Sequence, residues 1–142
     1  MLVYCLFLHL VADFFLQSRE MGTKKSSEFA WLAMHLAIQF LMFQVGLGFI
    51  VGFGVATKFA LLNALIHGVI DWNIWKLYKY SAYVRLADQA RQEGCRKDQI
   101  EDRVKELSKG WKYYEDHLFY STIGVDQFLH AATLVLLFGA LL

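Results

Sequence analysis

The chain has 142 residues, of which 57% are hydrophobic and 16% aromatic, with a positive mean hydropathy and a formal net charge of +1. Soluble domains carry nearer ~45–50% apolar residues, so a membrane protein is the first expectation. The near-neutral balance, without a basic domain, excludes a nucleic-acid binder. Cys5 lies in an apolar stretch and Cys95 in a charged one, and neither belongs to a CxxC pair, so no disulfide framework is expected.

Four apolar stretches, each of about 16 residues or more, account for the excess, and helices suit them because hydrocarbon leaves no other partner for the backbone. The expected fold is all-α, a single membrane domain over residues 1–142 with about four transmembrane helices. Span 1 covers about residues 2–17. It starts apolar with no basic leader or small-residue cleavage pattern, and it carries His9 and Asp13, so it reads as a retained span rather than a signal peptide. A tight polar loop, residues 18–27, follows, with Arg19, Lys24, Lys25 and the helix-starting Ser26 and Ser27.

Span 2 covers about residues 29–50, and the glycine-rich residues 46–54 hold the turn into span 3. Gly48 and Gly52 also form a GxxxG pattern, but a turn and loose helix end is the preferred reading. Span 3 covers about residues 57–78 and span 4 residues 119–141. Between them residues 85–116 carry eight Lys or Arg and eight Asp or Glu, while Ile100, Val104, Leu107 and Trp111 recur at helical spacing. Two short helices broken near Gly94 are expected, forming a cytoplasmic helical hairpin over residues 81–116 that packs on the end of the bundle.

Three Lys or Arg follow span 1, ten lie from Lys76 to Lys112, and only Lys58 is near the turn between spans 2 and 3. Both polar loops are therefore expected in the cytoplasm and both termini outside. Trp31, Trp75, Tyr78, Tyr80, Trp111, Tyr113, Tyr114 and Tyr120 cluster beside the same loops, as amphipathic rings do at a membrane interface.

Span 1 holds His9 and Asp13, span 3 His67 and Asp71, and span 4 Asp126 and His130, each pair four residues apart; span 2 adds His35. Residues at this spacing share a helical face with Cβ atoms ~5–6 Å apart, so each pair is half of an ion site. Counted from the cytoplasmic ends, all seven lie roughly 6–16 Å deep and share one layer. An uncompensated Asp at a helix centre costs roughly 2.5–3.5 kcal/mol, so something must neutralise three of them. One or two divalent transition ions (Zn, Mn or Fe) would do so, because imidazole and carboxylate suit these metals. Seven ligands accommodate two metals or one metal plus a general base, with Asp13, Asp71 and Asp126 as the catalytic carboxylates. A metal-free proton or cation path and plain interhelical hydrogen bonding are the alternatives.

Gln17, Gln39 and Asn63 each lie four residues from a candidate ligand, and Gln127 is adjacent to Asp126; orienting the ligands is their expected role. Lys25 and Lys76, near the cytoplasmic mouth, are candidate phosphate-binding residues beside the plainer reading of lysines that snorkel and fix topology. His117, beside Glu115 and Asp116, reads as an ordinary surface histidine.

His9-Leu-Val-Ala-Asp13-Phe-Phe-Leu-Gln17, Lys25, His35, His67-Gly-Val-Ile-Asp71 with Lys76, and Asp126-Gln127-Phe-Leu-His130 together resemble an uncharacterised family, a domain of unknown function in small bacterial and phage four-span membrane proteins. The charged arm reads as longer than the corresponding connection in that family. More distantly the pattern is similar to the membrane-bound metal-dependent hydrolases of bacteria, which implies hydrolysis by analogy. The leading expectation is a multi-pass hydrolase of the bacterial inner (cytoplasmic) membrane acting on a lipid-linked phosphate. Its partners would be membrane lipid and that substrate, with self-association into a homo-oligomer left open. A metal-ion or proton transporter and a non-enzymatic phage or bacterial membrane factor working through the arm are the other expectations.

Overall fold

The computed structural model describes all residues, Met1–Leu142. Its elements are α1 Leu2–Leu10, running into a π-helical turn Val11–Phe15; α2 Arg19–Lys24; α3 Phe29–Val51; α4 Phe53–Gln92; α5 Ile100–Lys109; and α6 His117–Leu141. Short 3₁₀ turns at Lys97–Gln99 and Tyr113–Glu115 link the last three. α1 packs against α3 and α6, α3 against α4, and α4 against α6, which closes a ring of helices.

The interior is polar at one end and apolar at the other. Cys5, Leu8, Phe43, Leu47, Ala56, Phe59, Ala60, Leu134 and Leu137 form a dry plug. Yet twelve of the 31 buried residues are polar or charged, whereas Phe15, Phe49, Leu65, Val69, Phe128 and Leu136 point outward. Water would oppose such a surface and lipid accepts it. α3, α4 and α6 are each long and apolar enough to cross a bilayer. Leu2–Phe15 is apolar but shorter, about 21 Å at helical rise against ~30 Å of hydrocarbon.

α3 and α6 begin and end within a few residues of the expected spans. α4 does not stop near residue 78; it continues for 40 residues to Gln92, so the first helix of the expected hairpin is an extension of span 3. The break falls at Gly94, where φ is +84°. The turn between α3 and α4 is a single residue, Gly52, at φ +85° and ψ 144°, a conformation essentially restricted to glycine. It folds Phe53 back onto Gly48, where an added Cβ would lie 2.5 Å from the ring. The two glycines therefore serve one tight reversal, not helix dimerisation.

Outside the membrane layer, α5 lies along the end of α4 through Leu86, Ala87 and Val104, flanked by Ile100, Leu107 and Trp111. Asp116 fixes the return to α6. It accepts from both terminal nitrogens of Arg85 at 2.9 and 2.7 Å, from the Tyr78 hydroxyl at 3.0 Å and from the Leu118 amide at 3.1 Å. The Arg85 guanidinium, with help from Tyr78 and Leu118, holds the Asp116 carboxyl down to about 2.

Two expectations follow from these features. Gly52→Val forces a side chain into the glycine-only region and lowers stability by about 1–3 kcal/mol, measured by denaturation in detergent. The depressed Asp116 pKa means that its ion pair contributes fully above the ordinary carboxylate range and is lost as pH falls toward 2. Tryptophan fluorescence should therefore report loosening of the arm below about pH 4 in the native chain. Asp116→Asn should show a loosened arm already at neutral pH and no further step in that window.

Candidate metal centre

α1 supplies His9 to the polar end of the bundle, and the π-helical turn after it supplies Asp13. The Leu16 amide donates to the Val11 carbonyl five residues back at 3.0 Å, a widened turn of the kind that recurs at functional positions. α3 supplies His35 and Gln39, α4 His67 and Asp71, and α6 Asp126 and His130. The structure brings all seven expected ligands into one cluster, none more than 4% exposed. Three overlapping groups within it, His9–Asp13–His67, His35–His67–Asp71 and Asp71–Asp126–His130, could each hold a metal ion.

The tightest part surrounds His35 Nε2. His67 Nε2 lies 2.8 Å away, Asp13 Oδ1 3.2 Å, Asp71 Oδ2 3.2 Å and Lys25 Nζ 3.4 Å. His67 Nε2 is in turn 3.4 Å from Asp13 Oδ1 and 3.2 Å from Asp71 Oδ2. A ring nitrogen offers one proton or one lone pair, so His35 cannot satisfy four neighbours by hydrogen bonding. The spacing has a simpler reading. Ligands held at about 2.0–2.1 Å in a tetrahedron lie about 3.3–3.4 Å apart, close to the four His–Asp separations, while the two imidazoles stand nearer, at hydrogen-bond distance.

A second part lies beside the first. His130 Nε2 is 3.6 Å from both Asp71 Oδ1 and Asp126 Oδ1, and His9 Nε2 is 3.5 Å from Asp13 Oδ2. His9 Nε2, His130 Nε2 and Asp126 Oδ1 have no hydrogen-bond partner. Buried polar atoms are rarely left so, and a coordinated ion is one explanation. The His67 and His130 rings stack at 3.9 Å between centroids, which ties α4 to α6 at this level.

Gln39 Nε2 donates to Asp13 Oδ1 at 2.6 Å. Gln127 Nε2 donates to Asp13 Oδ2 and Asp126 Oδ2, both at 3.3 Å, although its place next to Asp126 in sequence put it off the shared face. Gln17 and Asn63 hydrogen-bond to none of the seven; Gln17 lines a cavity instead, and the Asn63 side-chain nitrogen is buried without a partner. Lys25 is 95% buried at its side chain and makes an ionic contact of 2.9 Å with Asp71 Oδ2. Lys76 does not reach the site. Its ammonium sits 3.7 Å above the Trp72 ring on the outer face of α4.

A cavity of about 420 Å³ opens from the cluster toward the polar loops. Asp13, Asp126 and Gln127 are at its floor, Arg19, Lys25 and Lys79 supply cations, and Trp75, Tyr78, Tyr113 and Phe119 supply aromatic walls. Lys79 Nζ also donates to Ser26 Oγ at 2.8 Å and the Thr23 carbonyl at 3.3 Å, fastening the first polar loop to α4. Arg19 and Lys79 escaped the sequence reading, which took them as charges that set topology. The signal existed for Lys79. It follows Asp71 and Trp75 at steps of four and so shares their helix face, which Lys76 does not.

Lys25 is the formal cation in contact with Asp71, and removing one partner of a buried ion pair leaves the other uncompensated. Lys25→Met should therefore destabilise the metal-free protein by about 3–5 kcal/mol in detergent denaturation, and added Zn²⁺ should recover part of that loss.

The model of the family described as "Protein of unknown function (DUF3307)" matches residues 1–141, the charged arm included. No curated protein and no solved structure matches the chain. With a family match that runs through every helix and every residue of the buried cluster, the chain belongs to the DUF3307 family.

Proposed function

We propose that this protein is a four-pass membrane hydrolase that uses a divalent transition metal to act on a lipid-linked phosphate or similar headgroup at the cytoplasmic side of a bacterial inner membrane. The distribution of Lys and Arg supports the orientation, with both polar loops inside and both termini outside. In this topology Leu2–Phe15 completes the ring as a short span that thins the bilayer beside it.

One observation carries the reading: the cavity joins a buried His and Asp cluster to three cations inside an otherwise apolar bundle. Arg19 and Lys79 are suited to hold phosphoryl oxygens, Arg as a planar fork and Lys as a point charge. The aromatic wall fits the glycerol or first carbons of a lipid, whose chains would leave past the exposed Phe14 into the bilayer. A divalent ion bound at the cluster would supply Lewis acidity and an ionised water at neutral pH. Asp13 and Asp126 both belong to the cluster and line the cavity, and Asp126, with no other helix's amide on its Oδ1, is the carboxylate this reading sets beside the bond to be broken. Gln39 and Gln127 hold Asp13 in orientation by amide donation.

A transport path would need polar access through the other end of the bundle. Phe43, Leu47, Phe59 and Leu134, all fully buried, fill that end instead. No comparable observation favours an interaction factor acting through the arm, because the apolar face of α5 is already spent on α4.

The test uses protein reconstituted into liposomes with phosphatidic acid and polyprenyl diphosphate as substrates. Phosphate release should require a divalent transition metal, stop with chelator, and fall by at least ~10²-fold in Asp126→Asn. Metal-loaded, folded protein that releases no phosphate from either substrate would overturn the hydrolase reading.

A further inference from the structure

The two oxygens of Asp13 face different histidines. Oδ1 lies 3.2 Å from His35 Nε2 and 3.4 Å from His67 Nε2, whereas Oδ2 lies 3.5 Å from His9 Nε2. Asp71 repeats the arrangement from the opposite side of the bundle. Its Oδ2 is 3.2 Å from both His35 and His67, and its Oδ1 is 3.6 Å from His130 Nε2. Two carboxylates thus each turn one oxygen toward the same pair of imidazoles and the other toward a second pair, to which Asp126 Oδ1 is added at 3.6 Å from His130.

A single ion would use one side of this arrangement and leave three buried atoms of the other, His9 Nε2, His130 Nε2 and Asp126 Oδ1, without partners. Bridging carboxylates between two ions use both sides. Paired ions in hydrolytic sites sit ~3.5–4 Å apart, a separation that one carboxylate spans with its two oxygens. Three carboxylates face one ammonium, Lys25, so one divalent ion neutralises the layer, and a second must bring an anion with it, hydroxide or phosphate.

Building on the metal reading above, we infer that the cluster holds two unlike metal positions bridged by Asp13 and Asp71. The inner position, with His35 and His67, is tetrahedral and closed by protein. The outer position, with His9, Asp126 and His130, has a higher coordination number and an open place toward the cavity, since Asp126, which belongs to this position alone, lines the cavity together with the bridging Asp13, whereas no histidine of either position does. Substrate oxygen meets the outer ion, and the inner ion holds the helices and the bridging carboxylates in place.

Cobalt(II) titration of the full-length protein in detergent separates the two positions, because tetrahedral cobalt absorbs visible light far more strongly than five- or six-coordinate cobalt. The native chain should take up about two equivalents, one with the intense band and one with a weak one. Asp126→Asn and, as a second variant, His130→Gln should each lose the weakly absorbing equivalent and keep the intense one. A native stoichiometry of one, or loss of the intense band in both variants while their helical circular dichroism is native, overturns the paired site and leaves a metal enzyme standing. No uptake at all overturns the metal reading with it.

Discussion

Three carboxylates and an ammonium, withdrawn from water in one layer of a lipid-facing bundle, have to be neutralised by one another or by something bound. Ions this deep are expensive when unpaired, and their mutual attraction repays the cost only when geometry is good. Lys25 meets one carboxylate directly, and the imidazoles of four helices close around the rest. The remainder of the molecule is arranged so that this layer can exist. The apolar plug excludes water from one side, the short first helix lowers Asp13 to the right level through its widened turn, and the single-residue reversal at Gly52 aligns α3 with α4 so that His35 faces His67.

The elements that were legible in the sequence were those whose signal repeats along a helix. Apolar runs mark α3 and α6 within a few residues, and the spacing of four between His and Asp marks six of the seven residues that meet in the buried cluster. The break near Gly94 is visible in the sequence, but among the glycines of residues 46–54 only the backbone singles out Gly52 as the turn and Gly48 as the point of close approach.

Elements that depend on contacts between distant segments were harder to see. Nothing in the run from Leu2 to Gln17 announces a π-helical turn, since the extra residue is accommodated by backbone geometry with no special composition. The onset of charge near residue 78 marks the end of an apolar run, and α4 continues through it to Gln92. Lys25 and Lys76 looked alike in sequence. One is drawn into the cluster by Asp71 and the other is held on the outside by Trp72, a difference set by which face of its own element each occupies. Gln39, four residues beyond His35, donates to Asp13 of another helix, and Gln127 reaches Asp13 and Asp126 from off the shared face, whereas Gln17 and Asn63 have the spacing of four without bonding to the cluster, which shows how little i to i+4 alone says about a hydrogen bond.

The unbroken run of α4 has a mechanical consequence. Forty residues make a rod about 60 Å long, twice the thickness of a bilayer's hydrocarbon, so one crossing would use roughly half of it. Asp71 belongs to the same rod as Arg85 and Leu86, with no glycine between them. A torque applied to the free end is therefore carried along one continuous helix into the buried layer that holds Asp71.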